Sequence, residues 1–123
     1  MNPGSAEREH LRQRLKSEQA RLERRLEREE ADLTTHRQRV SERDPCAVFS
    51  PAAASEDARQ EIRSEQARET TRQLREVEHG LQRLLTDPDH FGRCVRCDAA
   101  IAAARLEVLP STTLCARCAV GAP

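Results

Sequence analysis

Cys94-Val95-Arg96-Cys97 and Cys115-Ala116-Arg117-Cys118 are two CxxC pairs separated by seventeen residues. Each pair can form a knuckle that turns two sulfurs toward one point. Two such knuckles supply the four thiolates of a tetrahedral zinc site. With all four positions taken by sulfur, the ion is closed to substrate, so the chemistry implied is structural Zn2+ rather than catalysis. Cys94, Cys97, Cys115 and Cys118 are the expected metal ligands. His90 lies four residues before Cys94 and is not needed to complete the set. The fifth cysteine, Cys46, has no nearby base to lower its pKa and reads as an incidental loop thiol.

No phosphate-binding glycine loop, nucleophile elbow or metalloprotease motif occurs in the chain. His10, His36 and His79 are scattered and show no catalytic grouping, so the expectation is a protein that is not an enzyme. Of the 123 residues, 37% are apolar and 34% charged, with no Trp or Tyr and with Phe only at Phe49 and Phe91. That is too little bulky apolar material for a large globular core, and it suits paired helices that each bury one stripe. The 21 basic and 21 acidic residues cancel, which argues against strong direct DNA binding. Arg93, Arg96, Arg105 and Arg117 near the cysteines leave direct nucleic-acid binding as the weakest functional reading. No apolar run approaches a signal peptide or a membrane span. The expected location is therefore cytoplasmic, where thiols stay reduced and CxxC pairs favour metal over disulfide.

The elements that must position these cysteines are helical. From Ser5, read as an N-cap, to about Arg43 no Pro or Gly interrupts the chain. Leu11, Leu22 and Leu33, and also Leu15 and Leu26, recur eleven apart, which predicts a nearly straight apolar stripe that continues to Val40. Asp44-Pro45 stops this helix. The chain restarts either at Ser50-Pro51, as cap and first helical position, or at Ser55. A second helix runs to about Leu85, with Ala58, Ile62, Ala67, Leu74, Val77, Leu81, Leu84 and Leu85 as its apolar positions. Gly80 interrupts it at a cost of about 1 kcal/mol.

The expected fold is mostly α: a long antiparallel helical hairpin (coiled coil) over residues 1–88, with its tip at about 44–54, and a small C-terminal four-cysteine zinc-finger module over 89–123. Ile101, Leu106, Val108 and Leu109 would give the module a small core. Metal binding would supply most of its folding free energy.

Phe91-Gly92 just before the first CxxC, then Ile101, Arg105-Leu106, Pro110 and the second CxxC follow one another in an order that resembles the DksA/TraR family of zinc-finger transcription regulators. The hairpin before them is similar to that family's coiled coil. The resemblance implies a zinc-binding regulator of bacterial transcription that binds RNA polymerase, with the coiled-coil tip inserted in the secondary channel. It leaves the alarmone ppGpp as a candidate co-regulator. Well-known members carry D-x-x-D-x-A at the tip, where this chain has Asp44-Pro45-Cys46-Ala47-Val48-Phe49. Asp44 fits the first aspartate, and Ala47 stands at the second. Glu56 and Asp57 are candidates to replace the missing charge, so Asp44, Glu56 and Asp57 form the expected partner-binding tip. The alternative function is a zinc-stabilised coiled-coil adaptor, or a self-associating interaction protein, without polymerase activity.

Overall fold

The computed structural model describes residues 4–44 and 50–121. Pro45, Cys46, Ala47, Val48 and Phe49 lie outside the described residues. Four helices follow one another: α1 (Ser5–Ser41), α2 (Pro51–Thr86), α3 (Ala103–Val108) and α4 (Ala116–Val120). Among the described residues there is no strand, only an isolated antiparallel bridge between Arg93 and Ala100. None of these helices is long and apolar enough to cross a membrane.

The starts of the two long helices follow from local chemistry. At α1 the capping residue is Gly4 rather than Ser5. The Glu7 carboxylate reaches back to accept the Gly4 N–H at 3.2 Å, satisfying a donor that the first turn leaves open. At α2 the earlier of the two expected starts is used: the Ala53 N–H donates to Ser50 Oγ at 3.1 Å, and Pro51 occupies the first helical position. Both helices are thin in apolar residues, and their outer faces carry short-range pairs such as Arg12 with Glu9 and Arg68 with Glu65. Such pairs add a few tenths of a kcal/mol each.

α1 and α2 form a long antiparallel hairpin, and the described residues gather into two compact units. The first unit contains α1 up to Ala20 and everything described from Leu74 onward. Leu11 and Leu15 from α1, Val77 and Leu84 from α2, and Phe91, Cys94, Ile101, Leu106 and Pro110 are its buried apolar side chains. Gly80 sits inside this unit, where a Cβ would lie 3.3 Å from Leu15 Cδ2 and 3.6 Å from Ser111 Cα. The glycine that looked like a helix defect is thus a point of close approach. Gly80→Ala sets a helix-propensity gain of about 1 kcal/mol against a tight contact with a fully buried leucine. Its urea midpoint should stay near wild type. Gly80→Leu has no such room and should lose about 1–3 kcal/mol in the same measurement.

The second unit runs from Arg21 to Gln73 and has a different interior. Leu22, Ala53, Ala67, Gln60 and Thr70 are its buried residues. Leu26 and Leu33 are half-buried and Val40 is exposed, so the eleven-residue stripe does not hold to the end of α1. On α1 the inward row is Leu22, Glu29 and His36, at intervals of seven, and Arg43, just past the end of the helix, keeps the interval. A helix that packs along a partner keeps a seven-residue seam, and the straight eleven-residue stripe drifts off it. On α2 the same spacing buries Ala53, Gln60 and Ala67, leaving Ile62 on the outer face at 61% exposure. Ala58 and Leu85, also expected on the apolar side, are exposed. The seam of this unit is therefore largely polar. Thr70 Oγ1 donates to Glu29 Oε1 at 2.7 Å, and Arg25 Nε lies 3.3 Å from the same oxygen.

Candidate functional site

The first cysteine pair is presented by a tight backbone loop. Cys94 N–H donates to Ala99 O at 2.8 Å, Asp98 N–H returns to Cys94 O at 2.9 Å, and Ile101 N–H reaches Gly92 O at 2.8 Å. The loop closes because Asp98 adopts φ 59°, a left-handed conformation that aspartate tolerates better than most residues. Arg93 holds it there, donating to Asp98 Oδ2 at 3.1 Å and to its carbonyl at 3.2 Å. Gly92, at φ 85°, supplies the turn that leads in from Phe91. None of this backbone geometry was apparent from the CxxC spacing. The Phe91-Gly92 pair was the available signal.

The second pair is built differently. Cys115 caps α4, and its sulfur accepts the Cys118 N–H at 3.4 Å. Two bonds tie it to the rest of the module: Val95 N–H to Thr113 O at 2.9 Å, and Arg105 Nε to Leu114 O at 3.0 Å. Cys94 is buried, Cys115 and Cys118 are half-buried and Cys97 is exposed.

The four sulfurs all lie within 4.8 Å of one another. A tetrahedral zinc with bonds of about 2.3 Å requires sulfurs about 3.8 Å apart. The Cys97 and Cys115 sulfurs are 3.8 Å apart. The donor set also fits electronically. Backbone N–H groups, that of Cys115 first, hold the Cys94 thiol down to about 6. Cys118 is pushed up to about 12, chiefly by the Cys115 sulfur beside it. A metal ion entering the site displaces the remaining protons, which is why thiolate sites bind more tightly as pH rises. The residues present fit the ion, and the cofactor is structural Zn2+.

The expected tip residues lie in the second unit. Asp44 is exposed, just past the end of α1. Glu56 and Asp57 are on the second turn of α2, and both carboxylates are engaged. Glu56 Oε1 lies 3.2 Å from His36 Nδ1, and Glu56 Oε2 lies 3.3 Å from Arg43 Nη2. Asp57 Oδ1 is 3.1 Å from Arg43 Nη2 and 3.5 Å from His36 Nε2. The structure thus brings Glu56 and Asp57 together, but onto His36 of α1 and Arg43 just past its end, which sequence reasoning did not single out. The available signal was the seven-residue interval between His36 and Arg43.

These contacts set the titration of the loop end. The His36 hydrogen bond, aided by Arg43, holds the Glu56 carboxyl below its ordinary value. The Arg43 hydrogen bond does the same for Asp57. Each carboxyl binds its proton more weakly in the folded hairpin than in the unfolded chain. Their contribution to stability is therefore complete above the ordinary carboxylate range of about 4, and is lost as pH falls through the depressed folded values. Side-chain NMR titration should place both midpoints below those of free Asp and Glu, with amides of residues 53–60 losing protection over the same acid interval.

Of the four arginines of the zinc module, Arg93 is bound to Asp98 and Arg105 to the Leu114 carbonyl. Arg96 and Arg117 share a shallow cavity beside Cys118. With two of four guanidiniums committed internally, the module presents less free cation than its sequence suggests.

Residues 90–122 match the model of the prokaryotic DksA/TraR C4-type zinc finger. No curated protein matches the chain. Among solved structures, the chain is similar to the transcription factor DksA2 from Pseudomonas aeruginosa. The TM-score is 0.72 at 24% identity, over 90% of this chain and 78% of that one. The hairpin fold is shared with DksA2, and the four-cysteine module at residues 90–122 is similar to the zinc finger of the DksA/TraR family.

Proposed function

We propose that this protein is a regulator of bacterial transcription that binds RNA polymerase, with the loop end of its hairpin inserted in the secondary channel. The observation that carries this reading is a DksA/TraR zinc finger at residues 90–122 within a chain whose fold follows a transcription factor over 90% of its length. In this reading Cys94, Cys97, Cys115 and Cys118 ligate one zinc ion. Residues 89–123 form the base and residues 1–88 the hairpin. Asp44, with Glu56 and Asp57 behind it, forms the working end. A narrow helix pair that ends in carboxylates suits a partner whose catalytic centre holds Mg2+, because hard cations take oxygen ligands. The zinc is structural and the protein acts by binding rather than by catalysis. The guanosine alarmone ppGpp is the candidate co-regulator.

A second reading is a zinc-stabilised coiled-coil adaptor without polymerase activity. The pairing of Glu56 and Asp57 with Arg43 and His36 favours it, since carboxylates already neutralised are poorer ligands for a partner's cation.

In vitro transcription with wild type and Asp44→Asn, with and without ppGpp, separates the two. The regulator should bind core polymerase, compete with other secondary-channel factors and change open-complex lifetime, and Asp44→Asn should weaken the effect without weakening binding. Absence of polymerase binding at micromolar concentration would favour the adaptor.

A further inference from the structure

The loop end of the hairpin poses a physical question: what holds it closed? Among the described residues from 30 to 44 and from 50 to 66, Ala53 is the single buried apolar residue. Gln60 is buried beside it in the seam, and its Oε1 has no hydrogen-bond partner. Ile62 faces outward. Apolar burial therefore contributes little here, and two helix ends of this composition would be expected to fray.

Among the described residues here, a cross-helix contact is made by the cluster of His36, Arg43, Glu56 and Asp57. The imidazole and the guanidinium are the shielded members. The side chains of His36 and Arg43 are each 12% exposed, against 32% for Glu56 and 51% for Asp57. Arg43 spans both carboxylates, with Nη2 3.3 Å from Glu56 Oε2 and Nη1 3.3 Å from Asp57 Oδ2. His36, one heptad earlier, meets the same two residues from the other side. Side chains from α1, from Arg43 just past it and from α2 thus close on one another where a hydrophobic seam would otherwise stand.

We propose that Arg43, with His36 bonded to the same two carboxylates, forms a latch, an intramolecular contact that fastens the loop end of the hairpin and holds Glu56 and Asp57. Opening the latch releases two carboxylates at the start of α2 and unpairs the ends of α1 and α2 together. A cationic partner surface can compete for those carboxylates only as the latch opens. The latch therefore occupies both carboxylates in the free protein. It is a property of the isolated protein and does not depend on polymerase being the partner.

Ion pairs shielded to this degree lie between exposed pairs, which contribute little, and buried ones, whose breakage is costly. Loss of one partner should raise local opening about tenfold. The test is native-state amide exchange on the zinc-bound full chain, comparing wild type, Arg43→Gln, the double variant Glu56→Gln/Asp57→Asn, and their combination. The latch predicts faster exchange at residues 33–41 and 53–60 in each variant. Leu84 and Leu106, in the other unit, should keep their protection and report that the protein is folded. The combined variant should be no faster than either parent, because the same contact is lost in each. Raising NaCl to about 1 M, where the screening length falls to about 3 Å, should speed exchange in wild type and leave the variants unmoved. Unchanged exchange in Arg43→Gln, additive effects in the combined variant, or equal acceleration in both units would each overturn the latch.

Discussion

Stripping the zinc should unfold the C-terminal module while α1 and α2 retain most of their helical signal. The module between residues 89 and 121 buries few apolar side chains, Phe91, Cys94, Ile101, Leu106 and Pro110, and its helices are six and five residues long. Helices that short do not form unaided in water. Backbone bonds such as Val95 to Thr113 link the knuckles but fix no core. Binding free energy for a structural zinc site is about 10–16 kcal/mol near neutral pH, enough to account for folding of the whole module. Metal analysis should return one zinc per chain. A strong chelator should abolish amide protection at Ile101 and Leu106, and re-addition of Zn2+ should restore it. Cys94→Ser is the sharpest single substitution, because Cys94 is the buried ligand and a hydroxyl there replaces a thiolate with a poor donor. It should fail to retain stoichiometric zinc and should resemble the stripped protein. Protection at Ile101 that survives chelation would mean that packing, not metal, folds the module.

The second large effect is expected from Phe91→Ala, at about 3–5 kcal/mol of lost stability. The ring is 1% exposed and belongs to the unit that also buries Leu11, Leu15, Val77 and Leu84. It is the largest of the fully buried side chains, so its removal leaves the largest cavity. The Arg83 guanidinium lies 5.4 Å from the ring centroid. Arg83 is partly buried, and desolvation lowers its pKa. Removing the ring withdraws the π face that offsets that burial, adding about 0.5–1 kcal/mol. Against a typical total of 5–15 kcal/mol, the combined loss leaves this unit marginal. Zinc-saturated protein in a urea melt provides the measurement. Phe91→Leu keeps most of the volume and should cost under about 1.5 kcal/mol. If the two variants melt alike, the ring is not the centre of this core.

The four-cysteine centre was legible in the sequence because its chemistry is local. Two sulfurs three residues apart can share an ion whatever surrounds them, and two such pairs complete a tetrahedron. The existence and limits of both long helices were legible for the same kind of reason. The expected span to about Arg43 became Ser5–Ser41, and the restart at Ser50-Pro51 is the one used. Caps, prolines and uninterrupted polar-apolar runs act within one or two turns of the residues that carry them.

The inward side near the zinc module was legible in Leu11, Leu15, Val77 and Leu84; what the chain did not disclose was which side of each helix faces inward over residues 21–73. The eleven-residue leucine spacing describes a straight isolated helix, whereas contact between two helices selects a seam of seven. That selection buries Gln60 and Thr70, turns Ile62 to solvent and draws Glu29, His36 and Arg43 into the hairpin. It also turns Gly80 from a weak point into the place where Leu15 and Ser111 approach the helix backbone. Glu56 and Asp57 could be named from sequence as tip acids, but not the partners that hold them. His36 and Arg43 come from the other side of the hairpin, and only the tertiary pairing decides which side chains meet.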